Sequence, residues 1–86
     1  TPKTSAPNAV VDHRSDNKTD VRSFYNGDGL KFKDINTTSH GNPKHHPFGK
    51  NGEHAHDYEW DKNGHLKNRT TRELTEKERK ENKDIL

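Results

Sequence analysis

Five histidines fall between positions 40 and 56: His40, His45, His46, His54 and His56. Imidazole is the side chain whose unperturbed pKa lets it both take and give a proton near neutrality. Lys44, Lys50 and Arg72 add positive charge around them. This combination suits cleavage of RNA by internal transesterification. One imidazole removes the proton of the 2′-hydroxyl, a second protonates the leaving 5′-oxygen, and cations stabilise the extra charge on phosphorus. The RNA supplies its own nucleophile, so the chemistry calls for no metal and no cofactor.

Spacing sharpens the assignment. His54 and His56 are one residue apart, so on a strand both point to one face with β-carbons about 7 Å apart, a gap that can flank a phosphate. They are the expected acid–base pair. Arg72 and Lys50 are expected to stabilise charge, and Thr70 to orient the phosphate. His45 and His46 stand in reserve, because the loop that carries them can fold over the same face. The competing reading is a metal-dependent nuclease, with His40, His45, His54 and His56 as ligands for zinc or another divalent ion. His-x-His is weak support for it, since the helical and cysteine-paired ligand spacings are missing. A third reading is a non-enzymatic module that binds a partner or serves in phage structure.

The elements that must position these residues can be read from turn chemistry and alternation. Residues 1–19 hold Pro2, Pro7, Ser5 and mixed charges, and read as a linker or tail, with residues 20–86 as the nuclease-like domain. Docking of Ala9-Val10-Val11 as an extra strand is the alternative. Val21 to Asn36 reads as a hairpin whose Gly27-Asp28-Gly29 loop pairs Asn26 with Leu30, Phe24 with Phe32 and Arg22 with Asp34. His54 to Leu74 holds a second hairpin. A Lys62-Asn63-Gly64 loop, with Gly64 left-handed, sets Trp60 against Leu66, Tyr58 against Asn68, His56 against Thr70 and His54 against Arg72. Between the hairpins, Pro43 and Pro47 deny regular structure to a long His-rich loop. Thr75 and Glu78 form a capping box that starts a helix over about 76–82. The expected fold is therefore α+β: a small twisted antiparallel sheet of two hairpins, a long His-rich loop and a short C-terminal helix.

Composition sets the limits. Hydrophobic residues make up 21% of the chain and charged ones 35%, close to the balance at which chains stay unfolded. Yet net charge is only +2, and the large apolar side chains gather from Val21 onward, which argues for a folded domain with a thin core. The absence of cysteine excludes a disulfide framework and a thiolate zinc site. No run of about 18 apolar residues is present to span a membrane. A pI near 8.9 is compatible with a nucleic-acid partner.

Two stretches carry a resemblance: HGNPKHHPFGKNGEHAHDY from His40 to Tyr58, and RTTRELTEKERKEN from Arg69 to Asn82. They resemble the C-terminal domains of polymorphic toxins of Gram-positive bacteria and of minor head proteins of their phages. The likeness covers about residues 21–86. It is similar to short effector modules on large carriers, several of which belong to the barnase, EndoU, colicin and RelE-like group of ribonucleases. There a small twisted sheet carries His, Arg and Ser/Thr at the site. The N-terminal helices that many of that group place before the sheet are missing here. The resemblance implies an RNA substrate, a larger carrier covalently upstream and a cognate immunity protein. It also implies secretion or delivery by the carrier, with action in the cytoplasm of a target cell.

Overall fold

The computed structural model describes residues 4–38, 49 and 52–86. Five strands and one helix follow in chain order: β1 (Val10–Ser15), β2 (Lys18–Tyr25), β3 (Lys31–Asn36), β4 (His54–Trp60), β5 (Leu66–Arg72) and α1 (Glu76–Glu81). The strands make one sheet in the order β1-β2-β3-β4-β5, and every neighbouring pair is antiparallel. Among the described residues no helix is long and apolar enough to cross a membrane.

The sheet is larger than two hairpins, because residues 1–19, expected as a linker or tail, supply β1 and the start of β2. Asp16 and Asn17 turn the chain with φ of 50° and 64°. Two consecutive left-handed residues make the tight turn whose twist matches antiparallel strands, and Asp and Asn tolerate that region better than other residues with a β-carbon. Arg22 then clamps Asp12 across the pair, with Nε 2.6 Å from Oδ1. Upstream of β1 the chain lies along the first hairpin loop: the Ser5 amide donates to Gly29 O and the Asn8 amide to Asn26 O, each at 2.9 Å.

The two later hairpins are built alike. In each, an Asx side chain closes the loop. Asn26 Oδ1 accepts from the amides of Asp28 and Leu30, and Asp61 Oδ1 from those of Asn63 and His65. Gly29 and Gly64 both sit at φ 78°, where a β-carbon would be strained. Just past each loop the second strand carries one extra residue. Tyr25 faces Lys31, but Phe24 faces Lys33; Trp60 faces Leu66, but Glu59 faces Asn68. The bulges therefore fall at Phe32 and Lys67. Because side chains alternate with a period of two, one inserted residue exchanges every later pairing between faces. The expected pairs Phe24–Phe32 and Arg22–Asp34 are accordingly replaced by Phe24–Lys33 and Arg22–Ile35. Phe32 is left 41% exposed, while Lys33 Nζ lies 4.5 Å over the Phe24 ring.

Each face of the sheet now has a distinct composition. One face carries the cross-strand row Arg22, Ile35, Ala55 and Arg72. Ile35, Ala55 and Leu74 form the buried core there, with Phe24 and Ile85 packed against it. This apolar cluster is small, and ion pairs fix α1 around it. Glu78 accepts from Arg72 and Lys33, and Arg79 reaches Glu53 and Glu73. The capping box is formed in both directions, with Thr75 as N-cap and Glu78 as its partner. The opposite face is polar. Its central row runs Ser23, Asp34, His56, Thr71 across four strands, and the next row runs His13, Val21, Asn36, His54.

Candidate functional site

The polar face holds the two strand histidines. Alternation along β4 puts His54 and His56 on the same side, with ring centroids 4.8 Å apart and planes at 81°. Both are buried, at 0% and 4% exposure. The Gly52 carbonyl can only accept, so His54 Nδ1 carries a proton and donates it over 2.7 Å.

His56 has a defined tautomer for the same kind of reason. A guanidinium has donors and no acceptor, so Arg69 Nη2 at 3.3 Å from His56 Nε2 requires a lone pair on that nitrogen. The ring proton is then on Nδ1, which faces Thr71 Oγ1 at 2.9 Å. His56 Nε2 is thus turned toward an arginine at the exposed margin of the sheet.

The partners differ from those expected. Thr70 pairs with Asp57 and Arg72 with Ala55, so both lie on the helix face, away from the imidazoles. Arg72 is engaged there by Asp57 and by both oxygens of Glu78. These carboxylates, Glu78 first, hold its guanidinium above its ordinary value. The bulge at Lys67 is the cause. The stretch Arg69-Thr70-Thr71-Arg72 reads the same in both directions, so a slip of one residue still brings one threonine and one arginine beside His56. They are Thr71 and Arg69. Lys50, His40, His45 and His46 lie outside the described residues. The end of that stretch is described at Gly49, whose φ of 63° and close approach to the Glu53 carboxylate leave no room for a β-carbon. Glu53 in turn binds Arg79 of α1 at 2.7 Å.

Beneath the histidines lies a buried polar network that sequence reasoning did not find. Asp34 is directly opposite His56 in the register. Its carboxylate accepts from Ser23 Oγ at 2.5 Å and from Tyr58 Oη at 2.8 Å, and pairs with Lys31 Nζ at 3.1 Å. Burial raises the Tyr58 phenol pKa, and the bond to Asp34 raises it further, so it stays a proton donor. Burial likewise raises Tyr25. Lys31 Nζ stands 4.5 Å from the Tyr58 ring centroid and Arg69 Cζ stands 5.9 Å from it. Trp60 stacks beside Tyr58 at 6.4 Å, its Nε1 bonded to Lys31 O at 2.5 Å. Apolar patterning marks Tyr58 and Trp60, but nothing in the local sequence marks Asp34 and Lys31 as buried.

Arg69 differs electrostatically from the arginines on the other face. Arg22, Arg72 and Arg79 all pair with carboxylates, whereas among the described residues none lies within 4.0 Å of Arg69. Its contacts are an imidazole and the ring and hydroxyl of Tyr58. Such a cation is poised for an incoming anion, and Thr71 adds a hydroxyl beside it.

Among the described residues there is no group of three or more His, Cys, Asp or Glu side chains that could hold a metal ion. The alternative ligand set His40, His45, His54 and His56 is described only at its last two members. No protein-family model, curated protein or solved structure matches this chain.

Proposed function

We propose that this domain is a metal-independent ribonuclease of the toxin type, acting on RNA through histidine acid–base chemistry. The observation that carries the reading is the His56 environment: a buried imidazole whose Nε2 faces Arg69, a cation with no carboxylate partner among the described residues, and whose Nδ1 faces Thr71. A phosphodiester drawn to Arg69 moves that guanidinium off Nε2 and brings the 2′-hydroxyl to the base. His56 then takes the 2′ proton as the 2′-oxygen attacks phosphorus. The P–O5′ bond breaks, and the 5′-oxygen takes its proton from His54, whose fully buried Nε2 must first be uncovered to reach it, leaving a 2′,3′-cyclic phosphate. Arg69 and Thr71 replace Arg72 and Thr70 in the roles of charge stabiliser and orienting hydroxyl. The Nδ1–H bond to the Gly52 carbonyl fixes the His54 ring for its task.

An upstream carrier and a cognate immunity protein are the partners this reading entails, with delivery into the cytoplasm of a target cell. The test is cleavage of RNA by the purified domain in excess chelator. Wild type should yield a 2′,3′-cyclic phosphate end and fail on a strand carrying 2′-deoxyribose at the cleavage position. His56→Ala should lose roughly 100- to 10,000-fold in rate with the fold intact. Full activity in that variant, or activity abolished by chelation, refutes the proposal.

A further inference from the structure

Two cations lie near the Tyr58 ring, and they are held very differently. Lys31 is pinned by a buried ion pair with Asp34, both side chains being 6% exposed. Arg69 is exposed, and its described contacts are the Tyr58 ring, the Tyr58 hydroxyl and His56 Nε2. A long arginine side chain on an edge strand has many rotamers in water, and holding one of them costs entropy. An aromatic face offsets part of that cost by attracting the cation without neutralising it. A carboxylate in the same place would cancel the charge that an anion must find.

The ring can do this only if it is itself fixed. Tyr58 Oη donates to Asp34 Oδ2, and Asp34 Oδ1 is held in turn by Ser23. Asp34 thereby acts on Arg69 at one remove. We infer that Tyr58, anchored through its hydroxyl to Asp34, is a positioning residue that holds the Arg69 guanidinium over His56, ready for a phosphate oxyanion. The inference rests on reading this face as a ribonuclease site, but its test does not require catalysis. Tyr58 does not react; it sets where the positive charge waits. Its raised pKa keeps the phenol protonated, so the anchor persists across the neutral range.

The experiment is a titration of the full chain with inorganic phosphate, followed through the NMR signals of the Arg69 guanidinium and the His56 ring. Wild type should show saturable shifts of both sets. Tyr58→Leu, which removes the ring face, should weaken phosphate binding about 5-fold, and Tyr58→Phe, which keeps the ring but removes the hydroxyl with its bonds to Asp34 and Arg69, about 2-fold. A purely structural tyrosine would lower the melting temperature and leave phosphate affinity unchanged in any folded variant. Should Tyr58→Leu fail to fold, Tyr58→Phe decides: unaltered affinity there overturns the inference. Wild-type signals that stay still at phosphate on the order of 10 mM also overturn it, even if RNA is cleaved. Tyr58-dependent phosphate binding in a protein that cleaves no RNA upholds it and removes the ribonuclease reading instead.

Discussion

Replacing Glu78 with glutamine takes one negative charge out of the junction between α1 and the sheet. Glu78 Oε1 accepts from Arg72 Nη1 at 2.7 Å and from the Thr75 amide at 2.9 Å; Oε2 accepts from Arg72 Nη2 at 2.9 Å and Lys33 Nζ at 3.0 Å. Glutamine keeps an oxygen for the Thr75 amide, so the capping box survives and the loss is electrostatic. A hydrogen bond to a charged group contributes about 1.5–3 kcal/mol. The Arg72 side chain is 35% exposed and retains Asp57, so solvent screening and the surviving partner reduce the sum. About 2 kcal/mol is expected, which for a domain of this size lowers Tm by about 8–16 °C. The pH dependence provides the sharper check. Arg72 chiefly, then Thr75 and Lys33, hold the Glu78 carboxyl well below the usual carboxylate range against the opposing effect of burial. A depressed folded-state pKa means the stabilisation is complete above the unfolded glutamate value, about 4.3, and is lost as pH falls below it. The gap between wild type and Glu78→Gln should therefore be widest at neutral pH and close over roughly two pH units below that value. Asp12 and Asp84, both lowered by Arg22, titrate in both proteins and cancel in the difference. Thermal melts by circular dichroism from pH 7 to pH 2 supply the data. Two parallel curves, or a variant as stable as wild type at pH 7, would refute the reasoning.

Other parts of the fold make independent predictions. Ile35 is fully buried at the centre of a small core, so Ile35→Ala should cost about 2–5 kcal/mol and leave much of the protein unfolded at 37 °C; a melt close to wild type would show that the core lies elsewhere. Gly64→Ala meets no atom within 4 Å and should cost about 1–2 kcal/mol for its left-handed backbone, whereas Gly29→Ala also places a β-carbon 2.5 Å from Ser5 O and should cost more. Equal losses in denaturant titrations would mean that the segment around Ser5 does not pack on the loop. Deleting residues 1–17 removes β1 and the Arg22–Asp12 pair and turns β2 into an edge, so Tm should fall by about 5 °C or more; an unchanged Tm would return that segment to the status of a tail.

Features that depend on a few adjacent residues were legible without the structure. A three-residue loop with Gly64 left-handed, preferred over a two-residue Asn-Gly turn because it sets Trp60 against Leu66, is found, and Thr75 with Glu78 starts the helix. The reason in each case is local: backbone sterics, turn length and the reach of a side chain to the nearest amides fix the outcome. That His54 and His56 share a face follows from strand periodicity alone.

What lay beyond the sequence was set by contacts distant in the chain. Val10 to Ser15 alternates weakly and exposes most of its side chains, so the sequence offered docking of Ala9-Val10-Val11 only as the alternative to a tail. It is held by the backbone ladder to β2 and by Arg22, which only the assembled sheet provides. The bulges at Phe32 and Lys67 are settled by which register buries Ile35 and Ala55 with Leu74 while seating Asp34 and His56 on the other side. One inserted residue moved Thr70 and Arg72 to the helix face and delivered Thr71 and Arg69 to the histidines. Sequence by itself determined that a threonine and an arginine would stand beside the strand histidines; tertiary packing decided which copies of them did, because a strand's two faces differ by a single step of register.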